Sequence, residues 1–163
     1  MATKELAEKT ATKVEGMDVW IYHGQIYIPN TYSAGAVGSR FLIDIRDKAR
    51  INGTRCKKCN RVYVPARSVC KDCFAQLKEF VEVSDKGTLL TYTIDNESKP
   101  IHPTGEPIIY GIIQLDGADT GFVHMIGGVD PEQLRVGMRV QAVFKPREER
   151  IASVLDIKYF KPL

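Results

Sequence analysis

The chain has 163 residues, with 23 Lys and Arg against 20 Asp and Glu and a formal net charge of +3. Its hydrophobic fraction of 44% and charged fraction of 26% exclude wholesale disorder and leave room for one ordinary domain or two small ones. No apolar run approaches the roughly 18–20 residues needed to cross a bilayer. Residues 1–16 carry charge every few positions and no apolar stretch of signal-peptide length, so a cytoplasmic protein without a membrane partner is expected.

In chain order, residues 1–16 read as a mobile tail. Residues 17–52 read as a hairpin and an amphipathic helix. The segment VWIYHGQIYI places two short strands around His23-Gly24, where His23 is a turn residue. After a Gly- and Ser-rich loop, Ser39 is the expected N-cap of a helix over RFLIDIRDKARI. Phe41, Ile45 and Ala49, with Leu42 alongside, form its apolar face, while Arg40, Asp44, Asp47 and Lys48 lie elsewhere. Asn52-Gly53 ends it, with Gly as the left-handed cap.

Residues 53–78 hold all four cysteines, as Cys56-Lys57-Lys58-Cys59 and Cys70-Lys71-Asp72-Cys73. Two residues between ligands let one turn aim both sulfurs at a single centre, and two such knuckles supply the four thiolates of a closed tetrahedral site. Structural zinc fits this donor set, and iron in a rubredoxin-like site is the alternative metal. A reduced compartment disfavours disulfides. The segment's few apolar side chains (Val62, Tyr63, Val64, Val69, Phe74, Leu77) make too small a core to fold unaided, so a metal staple is expected. With every thiol engaged, none remains as a nucleophile, and no catalytic residue is assigned to this chain.

The same region is strongly basic. Residues 46–78 contain ten Lys and Arg against Asp47 and Asp72 only, so the rest of the chain is net acidic. Two readings of that excess stand side by side. It balances the charge of a four-thiolate site, or it binds an anion.

Residues 79–163 change to short strands. LLTYTI, IIYGIIQL, FVHMI, RVQAVF and a closing strand at residues 151–160 are separated by Gly turns, with a helical turn near Asp130-Pro131. About five strands in this span fit an OB-fold barrel. His102 falls in a long polar loop with three prolines, and His124 falls mid-strand without a Ser or Asp at a motif spacing. Asp116 and Asp130 read as turn formers. The fold class is therefore mainly β with a few helices: an N-terminal hairpin and helix, a rubredoxin-like zinc ribbon and a C-terminal OB-fold barrel.

The order of these parts resembles a known family. The matching residues are a leading helix, Gly53-Thr54-Arg55 ahead of the first knuckle, Tyr63 and Pro65-Ala66-Arg67, the second knuckle, Gly87-Thr88-Leu89 with Thr91-Tyr92-Thr93, Leu115-Asp116-Gly117, and Leu134-Arg135-Val136-Gly137-Met138-Arg139-Val140. Together they resemble the acyl-CoA-associated zinc-ribbon/OB-fold proteins over roughly residues 37–158. Asn60, Lys71 and Phe74 depart from the Gly and Pro-x-Cys-Gly knuckle positions common in relatives, and the segment before residue 37 is longer.

The resemblance implies a non-catalytic subunit of a thiolase-type enzyme, which binds CoA or acyl-CoA jointly with a thiolase-like partner in a hetero-oligomer. The thiolase acting on 2-benzoylsuccinyl-CoA is the partner it suggests. Cys56, Cys59, Cys70 and Cys73 would hold the zinc. Arg55, Lys57, Lys58, Arg61 and Arg67 are the candidate donors to CoA phosphates, since guanidinium and ammonium groups suit phosphate oxygens. An OB-fold and zinc-ribbon nucleic-acid-binding module is the main alternative, because both parts occur in such proteins. Against it, the barrel half is net acidic and lacks aromatic platforms interleaved with basic residues. A stand-alone small-molecule-binding or assembly protein is a further alternative.

Overall fold

A computed structural model describes residues 10–14, 17–21, 28–95 and 108–163. By internal contacts the chain divides into two compact units, Met1–Ser33 and Ala34–Leu163.

In the first unit, strands β1 (Thr10–Val14) and β2 (Met17–Ile21) form an antiparallel pair with Thr10 opposite Ile21 and Val14 opposite Met17. Part of the expected tail is therefore a strand, paired with β2. The alternating β-branched Thr10, Thr12 and Val14 favour a strand that their charged surroundings disguise. His23 and Gly24 lie outside the described residues.

The second unit opens with helix α1 (Gly35–Lys48), which starts earlier and stops earlier than the sequence predicts. Its N-cap is Ala34, with no side-chain cap, and Ser39 lies inside the helix. The left-handed C-cap is Ala49 at φ 51°, whose N–H donates to Ile45 O at 3.1 Å. Phe41 and Ile45 are buried as expected, but so is Asp44, which accepts from Lys48 Nζ at 2.6 Å and Asn52 Nδ2 at 2.5 Å. A buried carboxylate needs such partners to offset its lost hydration.

Gly53 is no helix cap. It sits in β3 (Ile51–Arg55), which lies between β4 (Val62–Tyr63) and β5 (Glu79–Val83) in a three-stranded sheet. A Cβ at Gly53 would stand 2.7 Å from Tyr63 O and 2.9 Å from Val62 Cγ1, so close strand approach is what requires glycine there. Residues 79–83, expected to begin the OB-fold, belong by pairing to this ribbon sheet, with Ile51 opposite Val83.

Five further strands close a barrel: β6 (Lys86–Asp95), β7 (Ile108–Leu115), β8 (Gly121–Ile126), β9 (Arg139–Phe144) and β10 (Ile157–Pro162), in the order β10-β8-β7-β6-β9. The last strand starts later than expected because the Asp156 carboxylate takes the N–H groups of Ile151, Ala152 and Ser153 and holds that stretch in a turn. Asp130 caps a 3₁₀ turn, Pro131–Gln133, and Asp116 pairs with Arg139 across the β6 edge. His102 and its loop lie outside the described residues. The molecule is thus mainly β with one α-helix among the described residues, a cysteine cluster and a closed OB-like barrel.

Ribbon and barrel share one core. It runs from Phe41 and Ile45 through Ile51, Val62 and Val64 to Leu89, Phe122, Val140 and Phe160. The ribbon strand is also clamped by polar bonds. Val62 N–H donates to Asp119 Oδ2 at 2.8 Å, Asp119 N–H returns to Val62 O at 2.9 Å, and Val64 N–H donates to Thr120 Oγ1 at 2.8 Å.

His124 is 5% exposed, packed between Phe122 and Phe160, with Nε2 3.2 Å from Val154 O and Nδ1 buried without a partner among the described residues. Burial holds its pKa below the usual histidine value.

Two outcomes follow. Gly53→Ala destabilises the fold by about 1–3 kcal/mol in urea titration, because the clash is with backbone. Stability is full above the unfolded histidine pKa of about 6.5 and falls below it, since the unfolded chain then binds a proton that folded His124 resists. A His124→Leu variant flattens that slope between pH 7.5 and pH 5 in chemical denaturation, and an unchanged slope would assign it to other groups.

Candidate metal centre and the cationic cleft beside it

The knuckles form as the spacing predicts. Asn60 and Phe74, each just after the second cysteine of its knuckle, take left-handed φ values of 53° and 56°. Backbone bonds close each turn: Cys56 N–H to Arg61 O at 2.8 Å, and Cys70 N–H to Ala75 O at 2.9 Å. The four sulfur atoms all lie within 4.8 Å of one another. The Cys56–Cys73 Sγ distance is 3.5 Å and the Cys59–Cys70 distance 3.9 Å. Four Zn–S bonds of about 2.3 Å in a tetrahedron place sulfurs about 3.8 Å apart, so the donor set fits the ion. Cys56 and Cys70 are buried and Cys59 is exposed. Zinc would be held here by sulfur alone, as a staple with no open position for chemistry.

Tyr63 supports the cluster from behind. It is fully buried, with its hydroxyl 3.2 Å from Cys70 Sγ and 3.0 Å from Asp72 Oδ2, and Asp72 also accepts from Arg61 at 3.0 Å. Contact with the Tyr63 hydroxyl, aided by the N–H groups of Cys73 and Asp72, pulls the Cys70 thiol down to about 6. The Tyr63 hydroxyl is pushed up, chiefly by Cys70, then by burial and Asp72. Contact with Cys73 pushes Cys59 up to about 12, with burial adding to it. Crowded thiols resist ionising together, and a divalent cation is what lets them do so.

The five cations expected to meet CoA part company. Arg55, Lys57 and Lys58 line one surface cleft of about 530 Å³, together with Ala75, Gln76, Lys78 and Glu79. Arg61 is committed to Asp72. Arg67 lies over the Tyr63 ring, 5.0 Å from its centroid, and its backbone bonds to Thr54 Oγ1. Lys78 was counted in the basic run, but Gln76 and Glu79 carry no sequence motif, and only folding brings them to the cleft.

Comparison with known proteins agrees with this architecture. The sequence profile of the rubredoxin-like zinc ribbon domain of ChsH2 matches residues 46–79, and that of the ChsH2 C-terminal OB-fold domain matches residues 80–145. A DUF35 domain-containing scaffold protein of Methanocaldococcus jannaschii is 30% identical over 122 residues, covering 73% of this chain and 86% of the relative. This chain belongs to the DUF35 family.

A second DUF35 scaffold protein, from Methanothermobacter thermautotrophicus, is also 30% identical and is covered over 90% of its length. Among solved structures, a DUF35 protein of Sulfolobus solfataricus superposes with a TM-score of 0.56 at 26% identity, covering 67% of this chain and 78% of that one. The Ltp2-ChsH2(DUF35) aldolase superposes with a TM-score of 0.57 over 76% of this chain and 93% of that one. At 21% identity it speaks for the fold. Among the described residues no helix is long and apolar enough to cross a membrane.

Elemental analysis of this DUF35 chain is expected to return one zinc per chain, with chelation collapsing the ribbon. Tyr63→Phe weakens metal affinity by about 10-fold in chelator competition, because it removes the hydroxyl from Cys70 while keeping the packed ring. Unaltered affinity would leave Tyr63 as a packing residue only.

Proposed function

We propose that this protein is a non-catalytic, zinc-stapled subunit of a thiolase-type acyl-CoA enzyme in the cytoplasm, and that the 2-benzoylsuccinyl-CoA thiolase is that enzyme. It contributes phosphate binding, substrate enclosure and assembly, while a thiolase-like partner supplies the cysteine nucleophile and the acid and base groups.

The observation that carries the proposal is the cleft on the ribbon, where Arg55, Lys57 and Lys58 present cationic donors on a metal-held frame. Fixed donors of this kind suit phosphates, and holding a remote part of a substrate assists chemistry elsewhere. All four sulfurs converge on one centre, which leaves the chain no thiol for acyl transfer. The relatives support the assembly part of this reading: the archaeal proteins are DUF35 domain-containing scaffold proteins, and the ChsH2 structure is an Ltp2-ChsH2(DUF35) aldolase.

Two measurements test this. An untagged pull-down from the native host is expected to recover a thiolase-like chain whose activity disappears when this subunit is withdrawn. Recovery of nothing, or of nucleic acid, overturns the proposal. In the reconstituted complex, a triple Arg55→Ala, Lys57→Ala, Lys58→Ala variant raises the KM for the CoA substrate by at least about 10-fold with a smaller change in kcat, as loss of uniform binding requires. Unchanged kinetics remove phosphate binding from the account.

A further inference from the structure

The four sulfurs of the metal centre are not equivalent. Cys56 and Cys70 are buried, Cys73 is half-buried and Cys59 is exposed. They also differ in their hydrogen-bond donors. Cys59 N–H donates to Cys56 Sγ at 3.4 Å. The Tyr63 hydroxyl stands over Cys70 Sγ at 3.2 Å, and the N–H groups of Cys73 and Asp72 meet the same sulfur. Cys73 meets the Ala75 N–H. Cys59 Sγ has no N–H or O–H donor among the described residues.

A metal-bound thiolate keeps lone pairs on sulfur, and N–H groups that draw on those lone pairs make it a weaker nucleophile. Access and electron density therefore single out the same residue, Cys59. A second sulfur is within reach, because Cys70 Sγ on the other knuckle lies 3.9 Å away. Closing that gap to a disulfide needs a shift of about 2 Å, and residues 57–60 form an exposed turn that can supply it.

We infer that Cys59 is a reversible oxidation site through which a peroxide opens the metal centre, with Cys70 as the sulfur that completes the disulfide. The Cys59 sulfur attacks one oxygen of hydrogen peroxide. The O–O bond breaks, a sulfenic acid forms and hydroxide leaves. The Cys70 sulfur then attacks the Cys59 sulfur, so that the S–O bond breaks, the S–S bond forms and a second hydroxide leaves. Two thiolates lose two electrons, the peroxide gains them, and both hydroxides take up solvent protons. Cys56 and Cys73 alone are too few donors for a closed four-sulfur site, so the metal is released. A dithiol reverses the step by exchange. Lys57 and Lys58 stand between Cys56 and Cys59, so the knuckle that lets go is the one that carries them to the cleft. That consequence rests on the CoA reading above, and the oxidation site does not.

The test uses the zinc-loaded full chain and hydrogen peroxide, with metal release followed by a chromophoric chelator and the sulfurs mapped by mass spectrometry. A disulfide joining Cys59 to Cys70 is expected, with zinc released in step and taken up again after a dithiol is added. A limiting maleimide pulse on the untreated chain labels Cys59 at least about 10-fold ahead of the other three cysteines. Cys59→His keeps four zinc donors and slows peroxide-driven release by at least about 10-fold. Should that variant fail to load zinc, the maleimide pulse and the disulfide map of the unaltered chain decide the matter. Equal labelling of the four cysteines overturns the site, as does a Cys56–Cys73 disulfide that leaves Cys59 free. Undiminished release from Cys59→His, or oxidation that a dithiol cannot reverse, overturns it too. All of these readouts come from the chain alone, so they survive if no thiolase-like partner is recovered. If peroxide releases the metal yet the reconstituted complex keeps its KM for the CoA substrate, the oxidation site stands and the phosphate role of the cleft falls.

Discussion

The structure depends on three residues that face two ways. In Val62-Tyr63-Val64 the strand period sends both valines into the shared core of helix, ribbon and barrel, and sends Tyr63 against Cys56 and Cys70 in the metal cluster. The backbone of the same residues is bonded to Asp119 and Thr120 of the barrel. One short strand therefore transmits the rigidity of a large apolar core to a small ribbon that has little core of its own, and the metal staples the ribbon's far side. A one-residue slip would exchange the faces and put Tyr63 where the barrel expects valine.

That arrangement explains how basic residues can hold fixed positions on so small a unit. Arg61 is tied to Asp72, which also receives the Tyr63 hydroxyl, and Arg67 lies over the Tyr63 ring. These two arginines build the frame. Arg55, Lys57, Lys58 and Lys78 line the cleft on its surface. The basic run thus divides between residues that build the frame and residues that line the cleft, and both sets depend on sulfurs converging from the two knuckles.

Much of this was legible beforehand because the signals were local. The CxxC pairs announce a four-sulfur centre through spacing alone, and the β-branched runs at IIYGIIQL and RVQAVF mark barrel strands at β7 and β9 with little error. Errors arose where a residue served a distant partner. Gly53 has the chemistry of a helix cap but is required by the approach of Tyr63 and Val62, and Ala49 makes the cap in its place. Asp44 has the chemistry of a surface residue but is buried against Lys48 and Asn52. Residues 151–156 continue an apolar pattern toward the last strand, yet three N–H groups turn inward to the Asp156 carboxylate.

By itself the sequence determined the chemistry available to this protein: four thiols in two pairs, a basic run around them, and short strands whose period of two requires a two-sided β structure. Those properties are set by residue identity and spacing along the chain, and any compact fold must honour them. Which cations face one another, which glycine is a close contact, and which aromatic is left exposed were decided only by tertiary structure. Each of those outcomes depends on strands far apart in sequence meeting at a few ångströms, and neither composition nor periodicity encodes that distance.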